Sequence, residues 1–336
     1  DLPLIVIPVI VESMIEPFAA NFPLLHDIAR IRMHCDFTLD TDTILERTKD
    51  AEAVIVIGFH ITDDILDAMT VRGHVSCFAF GGTGVASYIN LEKTKKRGIR
   101  VCNVLHYGDH AVAEHAMALA QAANRRICKA YIKVRNNNFA LDGLLGQNFY
   151  GACAGIVGTG RIGAAMARIC HGFGMNVLCY DMYKNPEVEK FARYVSLEEL
   201  LQKADLVSLH CPLTEGTHHM INKDTIAMMR DSAILVNTSR GGLIDTDALI
   251  EALRARKFGG VGLDVYEDED DQVFQDFSDD VLENEVVPVL LSFPNVVITS
   301  HQAFFTRTAL QSIAAITLEN ARAFARGEEL KNEVKA

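Results

Sequence analysis

The sequence predicts an α/β protein made of two doubly wound domains, each built on a parallel sheet. Short apolar runs alternate with amphipathic stretches along the whole chain of 336 residues. At about 150 residues per domain, this length suits two domains. Neither an internal repeat nor a low-complexity linker interrupts the alternation. Strands separated by helices form parallel sheets that carry helices on both faces.

The first third of the chain contains three predicted strands and two predicted helices. The strands are LIVIPVI (4–10), AEAVIVIG (51–58) and HVSCFAF (74–80). ESMIEPFAANF and TDDILDAM have helical spacing, and Thr62 is placed to cap the second of these helices. A longer helical pattern then extends from His110 to Asn136.

After Tyr150 the alternation of strands and helices begins again. The predicted strands are GIVG (155–158), NVLCYD (176–181), DLVSLHC (205–211), AILVNTS (233–239), GVGLDVY (260–266) and NVVITSH (295–301). SLEELLQKA, NKDTIAMMR and TDALIEALRAR are predicted helices, with N-caps expected at Ser196, at Asn222 and at either Asp245 or Thr246. A last helical stretch, FTRTALQSIAAITLENARAFARG, follows the final strand.

Charge and cysteine usage exclude several kinds of partner and site. The net charge of −12 argues against nucleic acid or an anionic membrane, because their phosphates would be repelled. The apolar N-terminal run is too short to span a membrane and lacks the basic start of a signal peptide. None of the eight cysteines forms a C-x-x-C pair. We therefore expect buried, reduced thiols in a cytoplasmic protein, with neither a disulfide framework nor a metal site.

A glycine-rich turn lies between one of these strands and a helix. Its G-x-G-x-x-G pattern permits a tight turn, close approach of a pyrophosphate to the backbone, and close packing of the helix. The next strand ends in Asp181, whose carboxylate can bind ribose hydroxyls and would repel a 2′-phosphate. A glycine turn without a ligand is the less favoured alternative. We predict a Rossmann-type domain that binds NAD at Asp181 and at Gly158, Thr159, Gly160, Arg161, Ile162 and Gly163.

Three consecutive strands of this domain deliver polar side chains to one edge of the sheet. Arg240 follows AILVNTS, Asp264 lies in GVGLDVY before the acidic EDEDD (267–271), and His301 follows NVVITS. An arginine fork can hold a carboxylate and polarise a carbonyl. A histidine can exchange a proton, and a carboxylate can orient it. Each residue alone could be packed or solvated, but beside a nicotinamide they together predict chemistry on a 2-hydroxy acid.

Several segments together resemble the D-isomer-specific 2-hydroxyacid dehydrogenases: VGTGRIG, DLVSLHCPLT, VNTSRGGLIDTDAL, GLDVYEDE and SHQAF. The resemblance covers roughly residues 97–331 and is closest to the D-lactate dehydrogenase branch, through NRRICKAY, NNFALDGLLGQNFYG and the acidic loop. It implies a homodimer that reduces a 2-keto acid with NADH, with pyruvate as the default substrate. Glycerate, hydroxypyruvate or a bulkier 2-keto acid are alternatives. A different class is an NADH-sensing transcriptional corepressor, against which the lactate-like acidic loop argues.

The resemblance also implies roles for residues and domains. The family's arginine, glutamate and general acid–base fall on Arg240, Glu269 and His301. The nicotinamide side is expected to be lined by His210, Cys211, Pro212, Thr238, Ser239 and Asp264. Contacts to the substrate are expected from Gly82, Thr83, Gly84, Tyr107 and Phe304. Residues 1–103 would form a flavodoxin-like substrate domain and residues 104–299 the NAD-binding domain, while residues 300–336 would return to the substrate domain as a C-terminal helix.

One segment departs from the family pattern. The family's substrate loop usually reads R-x-A-G-x-x-N-x-D, whereas AFGGTGVASYINL (79–91) lacks the arginine and has Ser87 and Asn90 at the polar positions. Its glycines still allow close approach of a ligand to the backbone. We therefore expect backbone N–H groups to bind the substrate carboxylate, while the identity of the 2-keto acid stays open.

Overall fold

The computed structural model describes residues 2–267, 269, 276–279 and 285–334. It divides into two compact units. The first consists of Asp1–Tyr107 together with Thr306–Ala336, and the second of Gly108–Phe305. The sequence-based boundaries and the roles given to the two domains stay predictions at this point.

The first unit contains a five-stranded parallel sheet of order β2-β1-β3-β4-β5, which is the flavodoxin-like order. Its strands are β1 (Leu4–Ile7), β2 (Arg30–Met33), β3 (Ala53–Val56), β4 (Cys77–Phe80) and β5 (Arg100–Cys102). The helices among them are α1 (Glu12–Ala20), α2 (Thr41–Thr48), α3 (Asp63–Arg72) and α4 (Leu91–Lys96). Every residue of β1, β3 and β4 is buried, as expected when helices cover both faces of a sheet.

The second unit contains a seven-stranded parallel sheet of order β12-β11-β10-β9-β6-β7-β8. This is the Rossmann order with one strand added at an edge. Its strands are β6 (Cys153–Val157), β7 (Asn176–Tyr180), β8 (Arg193–Tyr194), β9 (Leu206–Leu209), β10 (Ile234–Asn237), β11 (Gly260–Leu263) and β12 (Val296–Ile298). Its helices are α5 (Asp109–Asn124), α6 (Ile127–Arg135), α7 (Arg161–Gly172), α8 (Pro186–Glu189), α9 (Leu197–Lys203), α10 (Lys223–Met228), α11 (Thr246–Arg254) and α12 (Val286–Leu291).

The prediction of a single long helix from His110 to Asn136 was wrong, because the structure has two helices in this segment. Arg126 takes a left-handed backbone conformation with φ of 55° between α5 and α6. The Asn124 side chain exchanges two hydrogen bonds with the backbone of Gln147, and the Arg126 guanidinium donates to the carbonyl of Ala123. Arg126 thus satisfies a carbonyl at the end of α5, and Asn124 ties that end to the segment at Gln147, so the chain turns although the helical spacing continues.

A nineteen-residue helix, α13 (Arg307–Ala325), follows the second unit and belongs to the first. The Thr306 side chain caps it by accepting a hydrogen bond from Ala309. The predicted caps at Thr62, Ser196 and Asn222 are confirmed. At α11 the cap is Asp245, and Thr246 is the first helical residue.

All eight cysteines are free, but they are not all buried. Burial raises the pKa of Cys170 and of Cys179 to about 12. The expectation of buried thiols was wrong for Cys35 and Cys128, which are exposed, the latter on a helix without a buried residue. Within the described residues, no helix has both the length and the apolar character that crossing a membrane requires.

Candidate active site

The glycine turn after β6 has the geometry that phosphate binding needs. Gly158 has a φ of +89°, and a Cβ on it would lie 2.6 Å from the backbone nitrogen of Cys211. A Cβ on Gly163 would lie 1.8 Å from the carbonyl oxygen of Gly158, so α7 packs closely on the turn. A Cβ on Gly160 would meet no atom within 4 Å, which leaves this backbone open to a pyrophosphate. Because α7 begins at Arg161, its free N–H groups point toward the same place.

Asp181 lies beside this turn, at the end of β7. Its carboxylate accepts hydrogen bonds from the backbone nitrogen of Thr159 at 2.5 Å and from the Thr159 hydroxyl at 3.1 Å. That hydroxyl accepts a hydrogen bond from the hydroxyl of Tyr194 at 2.7 Å. The network holds the carboxylate beside the glycine turn, and its binding of the ribose stays a prediction. Tyr194 was missed by sequence reasoning, since no motif connects it to the glycines.

The residues predicted to line the nicotinamide follow β9 and β10: His210, Cys211 and Pro212 after the first strand, and Thr238 and Ser239 after the second. The Ser239 hydroxyl donates to the carbonyl of Cys211 at 2.7 Å and so ties the two strand ends together. Burial lowers the pKa of His210 to about 4, which keeps its ring neutral. The buried hydroxyl of Thr238 has no hydrogen-bond partner among the described residues, so it suits a polar group of a bound cofactor.

His301 lies in hydrogen-bonding contact with Glu269, and the acid–base roles expected for the two residues stay predictions. Nδ1 of His301 lies 2.9 Å from Oε1 of Glu269, whose residue is only 7% exposed. Because a carboxylate accepts, Nδ1 carries a proton and Nε2 is the nitrogen left for a substrate. The predicted strand 295–301 is too long, since β12 ends at Ile298. His301 lies beyond it in a left-handed turn with φ of 53°.

Asp264 lies just beyond β11, behind this turn, and is 1% exposed. Its carboxylate accepts hydrogen bonds from the Thr299 hydroxyl and from the backbone nitrogens of Gln302 and Ala303. Burial acts to raise the pKa of Asp264, but these bonds and the His115 side chain lower it overall. Asp264 is therefore ionised and tied to the chain around His301. Its expected place on the nicotinamide side stays a prediction.

Arg240 follows β10 in extended backbone and is half-buried. Its Nη1 donates to the carbonyl of Ser239 at 2.7 Å. A Cβ on Gly241 would lie 2.1 Å from the backbone of Tyr266, so the segment after β10 packs directly on the segment after β11. Because β10, β11 and β12 are neighbouring parallel strands, Arg240, Asp264 and His301 lie along one edge of the sheet.

The acidic loop EDEDD is not a solvated segment where the structure describes it. Glu267 accepts hydrogen bonds from Nε2 of His219 at 2.6 Å and from the backbone and hydroxyl of Thr246. Burial acts to raise the pKa of Glu267, and these bonds lower it overall. Within the described residues His218, His219 and Glu267 are the one group with metal-ligand character, and Glu267 already has partners at both oxygens. Residues 268, 270 and 271 lie outside the described residues.

In the first unit, the predicted substrate loop follows β4. The Thr83 hydroxyl donates to the carbonyl of Val104 at 2.7 Å, and the side chain of Asn103 donates to the carbonyl of Thr83 at 2.9 Å. No described residue accepts a hydrogen bond from the backbone nitrogens of Gly82, Thr83 and Gly84. Three consecutive free N–H groups are suited to an anion. Asn90, at a polar position of the family motif, instead caps α4.

Tyr107 and Phe304 are also predicted to contact the substrate. In the sequence, each lies close to a point where the chain passes from one unit to the other. Tyr107 is the last residue of the first stretch of the first unit. Phe304 is half-buried, and its ring meets that of Phe305 edge-on at 6.0 Å between centroids. A Cβ on Gly108 would lie 3.6 Å from Cβ of Phe304.

Comparison with known proteins identifies the family of the chain. Residues 117–303 match the family described as D-isomer specific 2-hydroxyacid dehydrogenase, NAD binding domain. The chain is 42% identical over 303 residues to 2-hydroxyacid dehydrogenase A of Aspergillus oryzae, covering 89% of this chain and 85% of that protein. It is 41% identical over 304 residues to D-lactate dehydrogenase of Escherichia coli, covering 89% and 91%.

Solved structures resemble the whole chain. The pyruvate reductase of Chlamydomonas reinhardtii superposes with a TM-score of 0.90 at 34% identity, covering 98% of both chains. D-Lactate dehydrogenase from Aquifex aeolicus, complexed with NAD and lactic acid, superposes with a TM-score of 0.81 at 31% identity, also covering 98% of both chains.

Proposed function

Because this chain belongs to the D-isomer specific 2-hydroxyacid dehydrogenase family and is an NAD-dependent enzyme, we propose that it reduces pyruvate to D-lactate. The observation that carries the proposal is the pair of His301 and Glu269 on the same sheet edge as Arg240. The names of the E. coli and Chlamydomonas relatives favour pyruvate over other 2-keto acids.

In the proposed reaction His301 is the general acid of reduction and the general base of oxidation. Bound NADH supplies the hydride to the carbonyl carbon. Nε2 of His301 donates its proton to the forming alkoxide, while Glu269 holds Nδ1 and stabilises the imidazolium. The guanidinium of Arg240 holds the substrate carboxylate and polarises its carbonyl. The 2.9 Å contact between His301 and Glu269 supports this division of roles.

The second unit is proposed as the cofactor domain. Its turn binds the pyrophosphate through Gly158, Thr159, Gly160, Arg161, Ile162 and Gly163. Asp181 binds the adenosine ribose, and the segment His210–Pro212 lines the nicotinamide together with Thr238, Ser239 and Asp264. The open space beside Gly160 and the unpartnered hydroxyl of Thr238 support these positions.

The first unit is proposed as the substrate domain. The free N–H groups of Gly82, Thr83 and Gly84 bind the substrate carboxylate, and Tyr107 and Phe304 cover the substrate. The hydrogen bonds of Thr83 and Asn103 support a loop that is preorganised for an anion. Hydroxypyruvate, glycerate or a bulkier 2-keto acid remains the second candidate, because this loop lacks the family's arginine.

A panel of 2-keto acids assayed with NADH tests the proposal. Pyruvate should give the highest kcat/KM among pyruvate, hydroxypyruvate, 2-ketoisocaproate and phenylpyruvate, and an enantioselective assay should identify the product as D-lactate. A higher kcat/KM with another member of the panel would replace pyruvate as the substrate. An NADH-sensing corepressor would bind NADH and turn over none of the four acids at a useful rate.

We further propose that the protein is a homodimer, and that α6 with the segment after it forms the interface. No residue of α6 is buried. The exposed apolar side chains are Ile127, Tyr131, Ile132, Val134, Phe139, Leu141, Leu145 and Tyr150. Exposed apolar side chains concentrated in one segment typically mark an interface, and a second copy supplies a matching surface.

Sedimentation of a double variant tests the interface. Ile132→Asp with Leu145→Asp should sediment as a monomer. Val71→Asp is the matched control, because Val71 is 86% exposed in the first unit. A monomeric parent protein, or a dimer that survives the double variant, would contradict the interface.

A cytoplasmic location is proposed as well. Eight free cysteines in the chain support a reducing compartment.

A further inference from the structure

Three consecutive backbone N–H groups in the turn after β12 converge on Asp264. The nitrogen of His301 donates to the carbonyl of Asp264 at 2.9 Å. The nitrogens of Gln302 and Ala303 donate to the Asp264 carboxylate at 3.0 Å and 2.8 Å. His301 itself has a φ of 53°, a left-handed conformation that is unfavourable for residues other than glycine. Asp264 therefore holds the turn that presents His301.

The carboxylate of Asp264 has a second set of donors on the side of α5. The Thr299 hydroxyl donates to Oδ1 of Asp264 at 2.5 Å. Nε2 of His115 lies 3.0 Å from that hydroxyl and 3.3 Å from the same Oδ1. Since the hydroxyl proton is directed at the carboxylate, Nε2 of His115 must be the donor in its contact with Thr299. His115 thus completes a chain of donors that ends at a buried carboxylate.

We propose that His115 is a positioning residue for the reaction, which holds the turn of His301 through Thr299 and Asp264. The inference rests on the proposed role of His301 as general acid–base. His115 has no contact with the reacting groups in this scheme. His115 donates a hydrogen bond to the carboxylate of Asp264, a residue that is only 1% exposed. If this buried charge loses a donor, the turn that Asp264 holds around His301 is destabilised.

The arrangement has a pH signature. Among the described residues, the titratable side chain in contact with the Asp264 carboxylate is His115 on α5; His301 with its partner Glu269, and Arg240, follow the neighbouring strands at the same sheet edge. Burial acts to raise the pKa of Asp264, and the bonds from His115, Thr299 and the backbone lower it overall. Because this pKa is depressed, the turn is held above it and loosens as the pH falls through it. Removing the His115 donor raises the pKa of Asp264, so activity should then fail at a higher pH on the acid side.

Substitutions at His115 test this directly. His115→Leu removes the donor, whereas His115→Gln keeps an N–H near the position of Nε2. For pyruvate reduction we expect kcat to fall about tenfold in His115→Leu, with the dissociation constant of NADH within about twofold of the parent. The acid limb of its kcat profile should move to higher pH. His115→Gln should restore most of both quantities. His171→Leu, on the exposed last turn of α7, is the matched control and should change neither.

A second pair of variants guards against misfolding of His115→Leu. Thr299→Val removes the link to Asp264 with little change in volume, and Thr299→Ser keeps it. Thr299→Val should reproduce the lower kcat and the shifted acid limb, while Thr299→Ser should match the parent. An unchanged kcat and pH profile in Thr299→Val would overturn the inference.

A double-mutant cycle separates this inference from the proposed function. If His115 acts through His301, adding His115→Leu to His301→Gln should lower the residual kcat by less than about twofold. If His115→Leu lowers the residual kcat of His301→Gln by the same factor as it lowers the parent kcat, His115 acts independently of His301. That result would overturn the inference. If His301→Gln alone keeps the parent activity, the proposed role of His301 fails instead, whatever His115 does.

Discussion

Alanine at two glycines of the turn after β6 should separate cofactor binding from folding. A Cβ on Gly163 would lie 1.8 Å from the oxygen of Gly158, and Cβ contacts under 3.0 Å essentially do not occur, so α7 and the turn must move apart by at least 1.2 Å. Overpacking of this kind costs about 1–3 kcal/mol. For a unit of this size each kcal/mol lowers Tm by about 2–4 °C, so Gly163→Ala should lower Tm by roughly 2–12 °C.

Gly160→Ala should behave in the opposite way. The φ of Gly160 is −61°, which alanine adopts freely, and its Cβ would meet no atom of the protein within 4 Å. Its Tm without cofactor should therefore stay close to that of the parent. NADH binding should weaken at least about tenfold, or 1.4 kcal/mol, because the methyl group occupies the space for the pyrophosphate.

Both quantities can be measured on purified protein. Thermal unfolding without NADH gives Tm, and titration calorimetry gives the dissociation constant of NADH. Quenching of tryptophan is not an option, because the chain has none. Parent-like NADH binding in Gly160→Ala would refute the placement of the pyrophosphate at this backbone. A fall in its Tm as large as that of Gly163→Ala would refute the steric reasoning.

Three further predictions concern the cofactor and the polar side chains at the sheet edge. Asp181 should make NADH better than NADPH by at least about tenfold in kcat/KM, and equal use of the two would remove Asp181 from cofactor selection. Arg240→Lys should lower kcat/KM for the keto acid strongly while NADH affinity stays nearly intact, since lysine lacks the planar fork; a collapse of NADH binding would assign Arg240 to the cofactor or to structure. Glu269→Gln should lower kcat/KM for reduction while NADH affinity stays close to that of the parent, because the amide cannot supply the charge-assisted hydrogen bond, about 1.5–3 kcal/mol, that Glu269 makes to Nδ1 of His301. A parent-like kcat/KM for reduction in Glu269→Gln would show that Glu269 is not the partner of His301.

The central strands were predictable because their burial leaves a plain apolar pattern. Each of the nine strands predicted from such runs has a counterpart, but three others were not predicted: β2, β5 and β8. β2 reads RIRM and alternates between exposed and partly buried residues at the edge of its sheet. β5 and β8 have only three and two residues. Edge strands and very short strands do not carry the continuous apolar signal of a strand covered on both faces.

Much of the candidate site could be found from sequence, because parallel sheets bring strand ends to one edge. That rule pointed to Arg240, Asp264 and His301 although long stretches of chain separate them. It could not point to His115 or Tyr194, which reach the site from the middle of a helix and from the edge strand β8. His115 and Thr299 are 184 positions apart, and only the packing of α5 against β11 and β12 brings them together.

The most direct test of the account is the rate of His301→Gln in both directions. Pyruvate reduction with NADH and D-lactate oxidation with NAD should each lose about 10²–10⁴-fold in kcat, the usual contribution of a general acid–base. The dissociation constant of NADH and the Tm should stay close to those of the parent. Retention of the parent rate in either direction, or a loss that merely follows weakened NADH binding, would contradict the assignment of proton transfer to His301.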